Sequence, residues 1–200
     1  MARRFHDYVK DNDEWQTLEE NQVFSNPFVE VAIVKVKTPS RPEGAIWTQV
    51  HRKGSCVVAP ITADGKLLLV RQERIPIRAS IWEFPAGQVD VAAEHDDAIL
   101  RETALRELRE ESGHQLAEGG ELIPLGPFFS SAGIMDEHAH LFVARPVVPT
   151  GKGRELDDNE AITECRAFTP EEFRQMIASS EIRDANTLST FARMVALGIL

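Results

Sequence analysis

Cysteine is nearly absent from this sequence, which contains only two, Cys56 and Cys165, among 200 residues. Both lie in apolar segments with the character of β-strands. Two isolated thiols favour buried, reduced side chains over the disulfide framework of a small secreted scaffold or a cysteine metal site. We therefore expect a cytoplasmic protein.

Long apolar segments and an excess of basic charge are also missing. No stretch approaches the ~18 consecutive apolar residues of a membrane span, and residues 1–10 have no apolar signal-peptide core. The chain has 22 Lys and Arg against 32 Asp and Glu, a net charge of -10. This is the wrong sign for a nucleic-acid binder, although metal ions and local arginines allow an acidic protein to bind a small anion.

No linker, repeat or low-complexity tract divides the chain, so we predict a single domain over residues 23–200. Residues 1–22 are polar and charged, and we interpret them as an N-terminal arm, either frayed or a short helix. Residues 23–50 alternate in the manner of an N-terminal β-hairpin whose return strand carries Trp47.

The remaining pattern predicts a mixed β-sheet flanked by helices, an α+β fold. Asp64 and Gly65 mark a tight hairpin turn, and Thr169-Pro170-Glu171-Glu172 carries the cap, proline and capping-box glutamate of a helix start. Further predicted strands are 56–61, 66–70, 81–84, 121–129, 140–148 and 161–168, and a last helix is predicted at 185–197.

An acidic helix is predicted from Asp97 to Ser112, closed by Gly113. Near its C-terminus Glu107, Glu110 and Glu111 stand at i, i+3 and i+4, where like charges repel each other and the helix dipole disfavours them. A hard divalent cation would compensate for this crowding. The alternative is a solvated helix face on which Arg106 pairs with Glu102 and Glu110.

Residues Arg106 to Gly113 resemble the end of the Nudix hydrolase box, Arg-Glu-aliphatic-any-Glu-Glu-any-Gly. The resemblance implies that Glu107, Glu110 and Glu111 hold metal ions and that Arg106 braces them. Gly87 matches the first glycine of the box, but five extra residues precede the helix. Ala98 and Ala92 fill the slots counted back for the box Glu and Gly, Glu94 is a candidate substitute for the Glu, and His114 takes an aliphatic place.

Three further segments resemble the ADP-ribose pyrophosphatase branch of that family: 70–74 (VRQER), 82–87 (WEFPAG) and 131–137 (SAGIMDE). The branch implies that Glu137 is the base or orients the attacking water, and that the carbonyl of Ala86 binds metal. It also implies that Arg74 touches the diphosphate and that Trp47 stacks on the nucleobase. We predict Glu137, Arg106 and Glu110 as catalytic, and as substrate-binding residues Arg74, Trp47, Arg71, Glu83 and Gly87.

The resemblance implies an α/β/α sandwich, a Mg²⁺ or Mn²⁺ cofactor, and a homodimer assembled through the N-terminal hairpin. It implies hydrolysis of the pyrophosphate in a nucleoside diphosphate sugar, with ADP-ribose giving AMP and ribose 5-phosphate. Because Ala132 replaces a common proline, GDP-mannose or another such sugar is an alternative substrate. A silent nucleotide-sugar sensor is a second alternative.

Several charged residues have an ordinary interpretation as well. Arg71, Arg74 and Arg78 suit either a diphosphate clamp or surface solubility. His138 and His140 lack the third ligand of a zinc site. An acidic segment, Asp157, Asp158 and Glu160, indicates a solvated loop, with Glu160 as an additional candidate carboxylate.

Overall fold

The computed structural model describes residues 10–89, 96–156 and 161–200. A three-stranded antiparallel sheet comes first, in the order β1–β2–β3, formed by β1 (Gln16–Ser25), β2 (Glu30–Thr38) and β3 (Arg41–His51). The predicted hairpin is thus present as β2 and β3, with Val34 opposite Trp47. The prediction of a frayed arm or short helix is wrong for residues 16–22, because they form most of β1, and the predicted boundary at residue 22 lies inside that strand.

A seven-stranded mixed sheet forms the centre of the protein. Its strands are β4 (Ser55–Thr62), β5 (Leu67–Arg74), β6 (Ala79–Glu83), β7 (Ala86–Gln88), β8 (His114–Phe129), β9 (His138–Pro149) and β10 (Ile162–Phe168). The order is β10–β5–β4–β9–β8, with β6 beside β5 and β7 beside β4. The pairing of β4 with β9 is parallel and the others are antiparallel.

Two details of these strands differ from the prediction. Four residues, Ala63 to Lys66, separate β4 from β5. The Thr62 N–H donates to the Lys66 carbonyl at 2.9 Å and so encloses a turn of three residues, in which Gly65 takes a positive φ of 80° while Asp64 does not. This is the three-residue hairpin geometry in which a glycine completes the turn. Strand β8 begins at His114 rather than at residue 121, because its first residues pair with the end of β9.

In the described part of the chain, three α-helices flank the sheet: α1 (Asp97–Ser112), α2 (Pro170–Ala178) and α3 (Ala185–Ala196). Helix α1 has the predicted bounds, with an Asp96 side chain that accepts from the Ala98 N–H and a Gly113 at φ 67°. Helix α2 begins with the predicted capping box between Thr169 and Glu172. None of the helices in the described residues is long and apolar enough to span a membrane.

Strand alternation sends side chains to two separate cores. On one face of the sheet, Cys56 and Val58 of β4 pack with Leu108 of α1. On the other, Val57 and Ala59 pack with side chains of α2 and α3, among them Phe173, Met176 and Met194. Helices therefore cover both faces of a mixed sheet, which confirms the predicted α+β sandwich. Glu94, Ala92, Asp157, Asp158 and Glu160 lie outside the described residues.

Candidate functional site

The short strand β7 lies against the acidic end of α1. The Ala86 N–H donates to Glu111 Oε2 at 2.8 Å. At the next residue, a Cβ added to Gly87 would lie less than 3.0 Å from three atoms of the Glu107 carboxylate. Glycine is therefore needed at position 87 for the backbone to approach Glu107 this closely. The structure thus brings together Ala86, Gly87, Glu107 and Glu111.

Arg106 binds two of the three clustered carboxylates. Its guanidinium contacts Glu107 Oε1 and Glu110 Oε2, each at 2.7 Å. These ion pairs offset part of the repulsion within the cluster, because together they place one positive charge between the Glu107 and Glu110 carboxylates. The Arg106–Glu110 pair of the solvated-face interpretation is therefore present. However, Glu107 and Glu111 are only 2% and 1% exposed, so this part of the helix is not a solvated face.

The donor set fits a hard divalent cation. Glu107 and Glu111 supply buried carboxylate oxygens, the ligand type that Mg²⁺ and Mn²⁺ prefer. The Glu110 carboxylate instead faces Arg106. Within residues 10–89, 96–156 and 161–200, no three His, Cys, Asp or Glu side chains converge at metal-binding distance. Two of the predicted ligands, Glu107 and Glu111, thus lie beside β7, and Arg106 contacts both Glu107 and the third predicted ligand, Glu110.

Negative charge at this site affects a neighbouring thiol. The pKa of Cys56 is raised to about 12, mainly by burial and also by the Glu107 carboxylate, while Arg106 opposes the change. The Cys56 thiol donates to the Leu100 carbonyl of α1 at 3.3 Å. It is a protonated core side chain, as the sequence predicts.

The turn between β6 and β7 is held from the other side of the sheet. The Phe84 N–H donates to Thr187 Oγ1 at 2.9 Å, and the fully buried Thr187 hydroxyl donates in turn to Asp184, the N-cap residue of α3. Helix α3 therefore fixes the backbone that leads into Ala86. Thr187 was not identified from the sequence, because a threonine near a helix start gives no local signal of a partner 103 residues away.

Arg74 and Glu83 form an ion pair across neighbouring strands. Arg74 Nε donates to Glu83 Oε1 at 2.8 Å, and a second donor of the same guanidinium reaches Oε2. Glu83 is buried, and desolvation raises the pKa of its carboxyl even though Arg74 opposes the shift. The Glu83 partner raises the pKa of Arg74 in turn. This pairing orients Arg74, whose side chain remains 40% exposed.

Arg71 and Arg74 lie on opposite faces of β5. Residues three apart on a strand point to opposite faces, and Arg71 pairs in register with Trp82 on the face that carries α2 and α3. Its guanidinium contacts Glu164 at 3.2 Å and lies 5.9 Å from the Trp82 ring centroid. The structure therefore does not assemble Arg71 and Arg74 into a single clamp.

Glu137 lies at the end of the loop between β8 and β9. Its Oε1 contacts the Arg52 guanidinium at 2.8 Å, and its Oε2 accepts from Ser130 Oγ at 2.8 Å. The preceding residue, Asp136, is buried and hydrogen-bonded to His51 at the end of β3. Neither His51 nor Arg52 was identified from the sequence, in which they lie 85 residues from these partners.

Trp47 borders a cavity of about 560 Å³ between the N-terminal sheet and the 130–136 loop. Its indole N–H donates to the Gly133 carbonyl at 2.9 Å, and the side chain is 55% exposed. Val34 and Met135 contribute apolar lining, and Arg41 and Asp136 contribute charge. The cavity is thus mainly apolar with a few polar groups, as is typical of ligand sites.

His138 and His140 are both buried and pack edge to face, with ring centroids 5.1 Å apart. They sit on β9, which is parallel to β4. Across the described parts of the chain no third ligand joins them in a metal cluster.

The similarity to known proteins extends over nearly the whole chain. The model of the NUDIX domain matches residues 50–191. The chain is 31% identical to an ADP-ribose pyrophosphatase of Bacillus subtilis (strain 168), over 87% of this chain and 89% of that protein. It is also 31% identical to a methanol dehydrogenase activator of Bacillus methanolicus, over 88% of this chain and 89% of that protein.

Among solved structures, the fold matches an ADP compounds hydrolase with a TM-score of 0.73, covering 94% of this chain and 96% of that one at 17% sequence identity. At this identity the match concerns the fold. The matched domain, the coverage of the relatives and the shared fold together identify the chain as a member of the NUDIX family.

Proposed function

We propose that this protein hydrolyses the pyrophosphate bond of nucleoside diphosphate sugars, with ADP-ribose giving AMP and ribose 5-phosphate. The observation that carries the proposal is the contact of β7 with the buried carboxylates Glu107 and Glu111. Burying two carboxylates side by side is costly for the fold alone, and a bound divalent cation would offset that cost. The similarity to the Bacillus subtilis ADP-ribose pyrophosphatase supports ADP-ribose as the substrate.

Mg²⁺ or Mn²⁺ is the proposed cofactor, held by Glu107, Glu110, Glu111 and the Ala86 carbonyl. When bound, the ion neutralises phosphate charge and lowers the pKa of a water ligand. Arg106 sets the positions of Glu107 and Glu110 through its two ion pairs.

In the proposed reaction, a water oxygen bonds to one phosphorus while the bridging P–O bond breaks. The bridging oxygen leaves with the other phosphate. Glu137 takes the water proton, and its contacts with Arg52 and Ser130 fix the direction of the carboxylate.

The placement of each side chain supports the proposed substrate-binding roles. Arg74 donates to Glu83 with Nε and one terminal nitrogen, which directs the rest of the exposed guanidinium outward for a phosphate oxygen. Trp47 presents its indole to the cavity for a nucleobase, and Gly87 exposes backbone beside Glu107. Arg71 lies on the opposite face of β5, and its role in substrate binding stays a prediction.

A second copy of the chain is the proposed partner of the N-terminal sheet. Strand β1 is exposed along almost its whole length, and large apolar side chains nearby are open to solvent: Leu18, Val23, Phe24, Ile33 and Ile46. Such a surface is typical of an interface. Light scattering at micromolar concentration tests this: a dimer mass supports the proposal, and a monomer mass contradicts it. The two free cysteines support a cytoplasmic location.

Product analysis tests the proposed function. Purified protein is incubated with ADP-ribose, GDP-mannose and NADH, each with Mg²⁺ or with EDTA, and the products are separated by chromatography. AMP and ribose 5-phosphate, formed only with the metal, are the expected result. Faster cleavage of GDP-mannose would change the preferred substrate but would still support pyrophosphate hydrolysis. Binding of a nucleotide sugar without cleavage of any substrate would contradict hydrolysis and favour a sensor.

A further inference from the structure

The end of β3 is fastened to the loop that carries Glu137. The Val50 N–H donates to the Ile134 carbonyl at 2.9 Å, and the Asp136 N–H donates to the Val50 carbonyl at 3.2 Å. These two bonds form a short parallel bridge between Val50 and Met135. The loop is therefore attached to the N-terminal sheet through its backbone as well as through side chains.

The Asp136 carboxylate is the centre of this attachment. It accepts from the Arg52 N–H at 3.2 Å, from Gln49 Nε2 at 3.3 Å and from His51 Nδ1. Both His51 and Asp136 are buried, at 1% and 5% exposure. A buried carboxylate needs such donors, because without them it loses hydration and gains nothing in return.

His51 is the one buried side-chain donor among them. Its Nδ1 must carry the proton to donate to an ionised carboxylate. Its other nitrogen, Nε2, is buried and has no hydrogen-bond partner within residues 10–89, 96–156 and 161–200. Among the described residues, the hydrogen-bond partner of the imidazole is therefore Asp136, which directly precedes Glu137.

We propose that His51 is a positioning residue for catalysis: by holding Asp136 it fixes the 130–137 loop and so the direction of the Glu137 carboxylate. This inference rests on the proposed function, in which Glu137 takes a proton from water. Arg52 continues the same arrangement, because its backbone binds Asp136 and its side chain binds Glu137. A general base displaced by about 1 Å loses much of its efficiency, on the order of 100-fold.

The test compares His51→Leu, which removes the donor, with His51→Asn, whose side-chain N–H lies as many bonds from the backbone as Nδ1. We expect kcat for ADP-ribose to fall about 10- to 100-fold in His51→Leu, with the Mg²⁺ requirement changed less than about threefold. His51→Asn should recover most of the loss. A folded His51→Leu with kcat within twofold of the wild type would overturn the inference, as would a folded His51→Asn no more active than His51→Leu.

Hydrogen exchange on the same proteins gives a readout that does not depend on activity. Faster exchange is expected in peptides covering residues 130–137 and at Val50 in His51→Leu, with exchange in α1 unchanged. Unchanged exchange at the loop would contradict the attachment. If His51→Leu does not fold, Asp136→Asn replaces it, because the amide is a weaker acceptor at the same position, and the same changes are expected.

Failure of the proposed function is distinguishable from failure of this inference. Wild-type protein that cleaves no nucleotide sugar would contradict the former while the exchange measurement still tests the attachment. Full activity in Glu137→Gln would remove the proposed base, and with it the catalytic role of His51, whatever the exchange shows.

Discussion

Gly87 and Glu107 lie in direct contact, with the backbone of one against the carboxylate of the other. A methyl group at position 87 has to displace the Glu107 side chain, since its position would be under 3.0 Å from carboxylate atoms. The fold survives such a displacement, because the atoms that must move belong to the end of a side chain. The Glu107 carboxylate, a proposed metal ligand, is however moved out of its position.

Gly87→Ala should therefore weaken metal binding while changing the stability of the fold only slightly. We expect the Mg²⁺ concentration for half-maximal activity to rise at least about tenfold, equivalent to ~1.4 kcal/mol, with Tm lowered by a few degrees at most. Gly65→Asn is the control, because Gly65 has nothing within 4 Å of its added Cβ and asparagine tolerates its positive φ. Unchanged metal dependence in Gly87→Ala would contradict the role given to Glu107.

Glu111→Gln should abolish turnover while preserving the fold. The amide oxygen can still accept from the Ala86 N–H, but the charge is lost. We expect kcat to fall about 1000-fold or more, because metal-based charge stabilisation is worth several kcal/mol and each ~1.4 kcal/mol is tenfold. In EDTA, Tm should stay equal or rise slightly, since a buried negative charge beside two others has been removed.

Glu102→Gln provides the matched control for that variant. Glu102 is exposed on the same helix, so its substitution should leave both kcat and Tm nearly unchanged. Normal turnover in Glu111→Gln would show that the acidic end of α1 is not a metal platform.

Cys56 should make the protein less stable in alkali. In the folded protein its pKa is raised to about 12 by burial, whereas the ordinary value is 9.0. Above pH 9 the unfolded chain therefore holds fewer protons than the folded one, so the free energy of unfolding falls as pH rises toward 12. The stability due to this group is fully present below pH 9.

Urea unfolding of the wild type and Cys56→Ala at several pH values between 8 and 10.5 checks this. The wild type should lose more stability per pH unit than the variant, by up to ~1.4 kcal/mol for one proton. Cys165→Ala should show a weaker effect, because the pKa of Cys165 is raised only to about 11. Equal slopes for all three proteins would contradict the assignment.

Thr187→Val should weaken the protein by removing the acceptor of the Phe84 N–H. We expect a cost of ~1 to 3 kcal/mol in the free energy of unfolding, because a buried donor is left without its partner. Thr187→Ser keeps the hydroxyl and should recover most of it. Thr190→Val is the second control: Thr190 is equally buried, but its hydroxyl donates only to the Asn186 carbonyl of its own helix. Similar costs in the two valine variants, measured by urea unfolding, would contradict the prediction.

Local signals were sufficient for α1 and for most of the central sheet. Asp96 and Gly113 cap the helix at positions readable from residue type, and the apolar runs of β4 and β5 on either side of Asp64-Gly65 predict their pairing. Strand β1 left no such signal. It is an edge strand with almost every side chain exposed, so its apolar and polar residues do not alternate between core and solvent.

The parts of the site that lie within one sequence motif were predictable. The contacts between residues far apart in the sequence were not. The spacing of Glu107 and Glu111 on one helix was readable, as was the glycine that approaches them. The pairing of His51 with Asp136 is a tertiary contact, and neither residue has an unusual neighbour in the sequence. The separation of Arg71 from Arg74 was in fact available, because residues three apart on a strand face opposite ways.

The bond between Phe84 and Thr187 also bears on when activity begins during synthesis. Strands β6 and β7 and helix α1 leave the ribosome well before α3 has been made, so the turn that leads into Ala86 is at first unsupported. Helix α3 also closes the core beneath that turn. We therefore expect a nascent chain to complete this site only when α3 docks against the sheet.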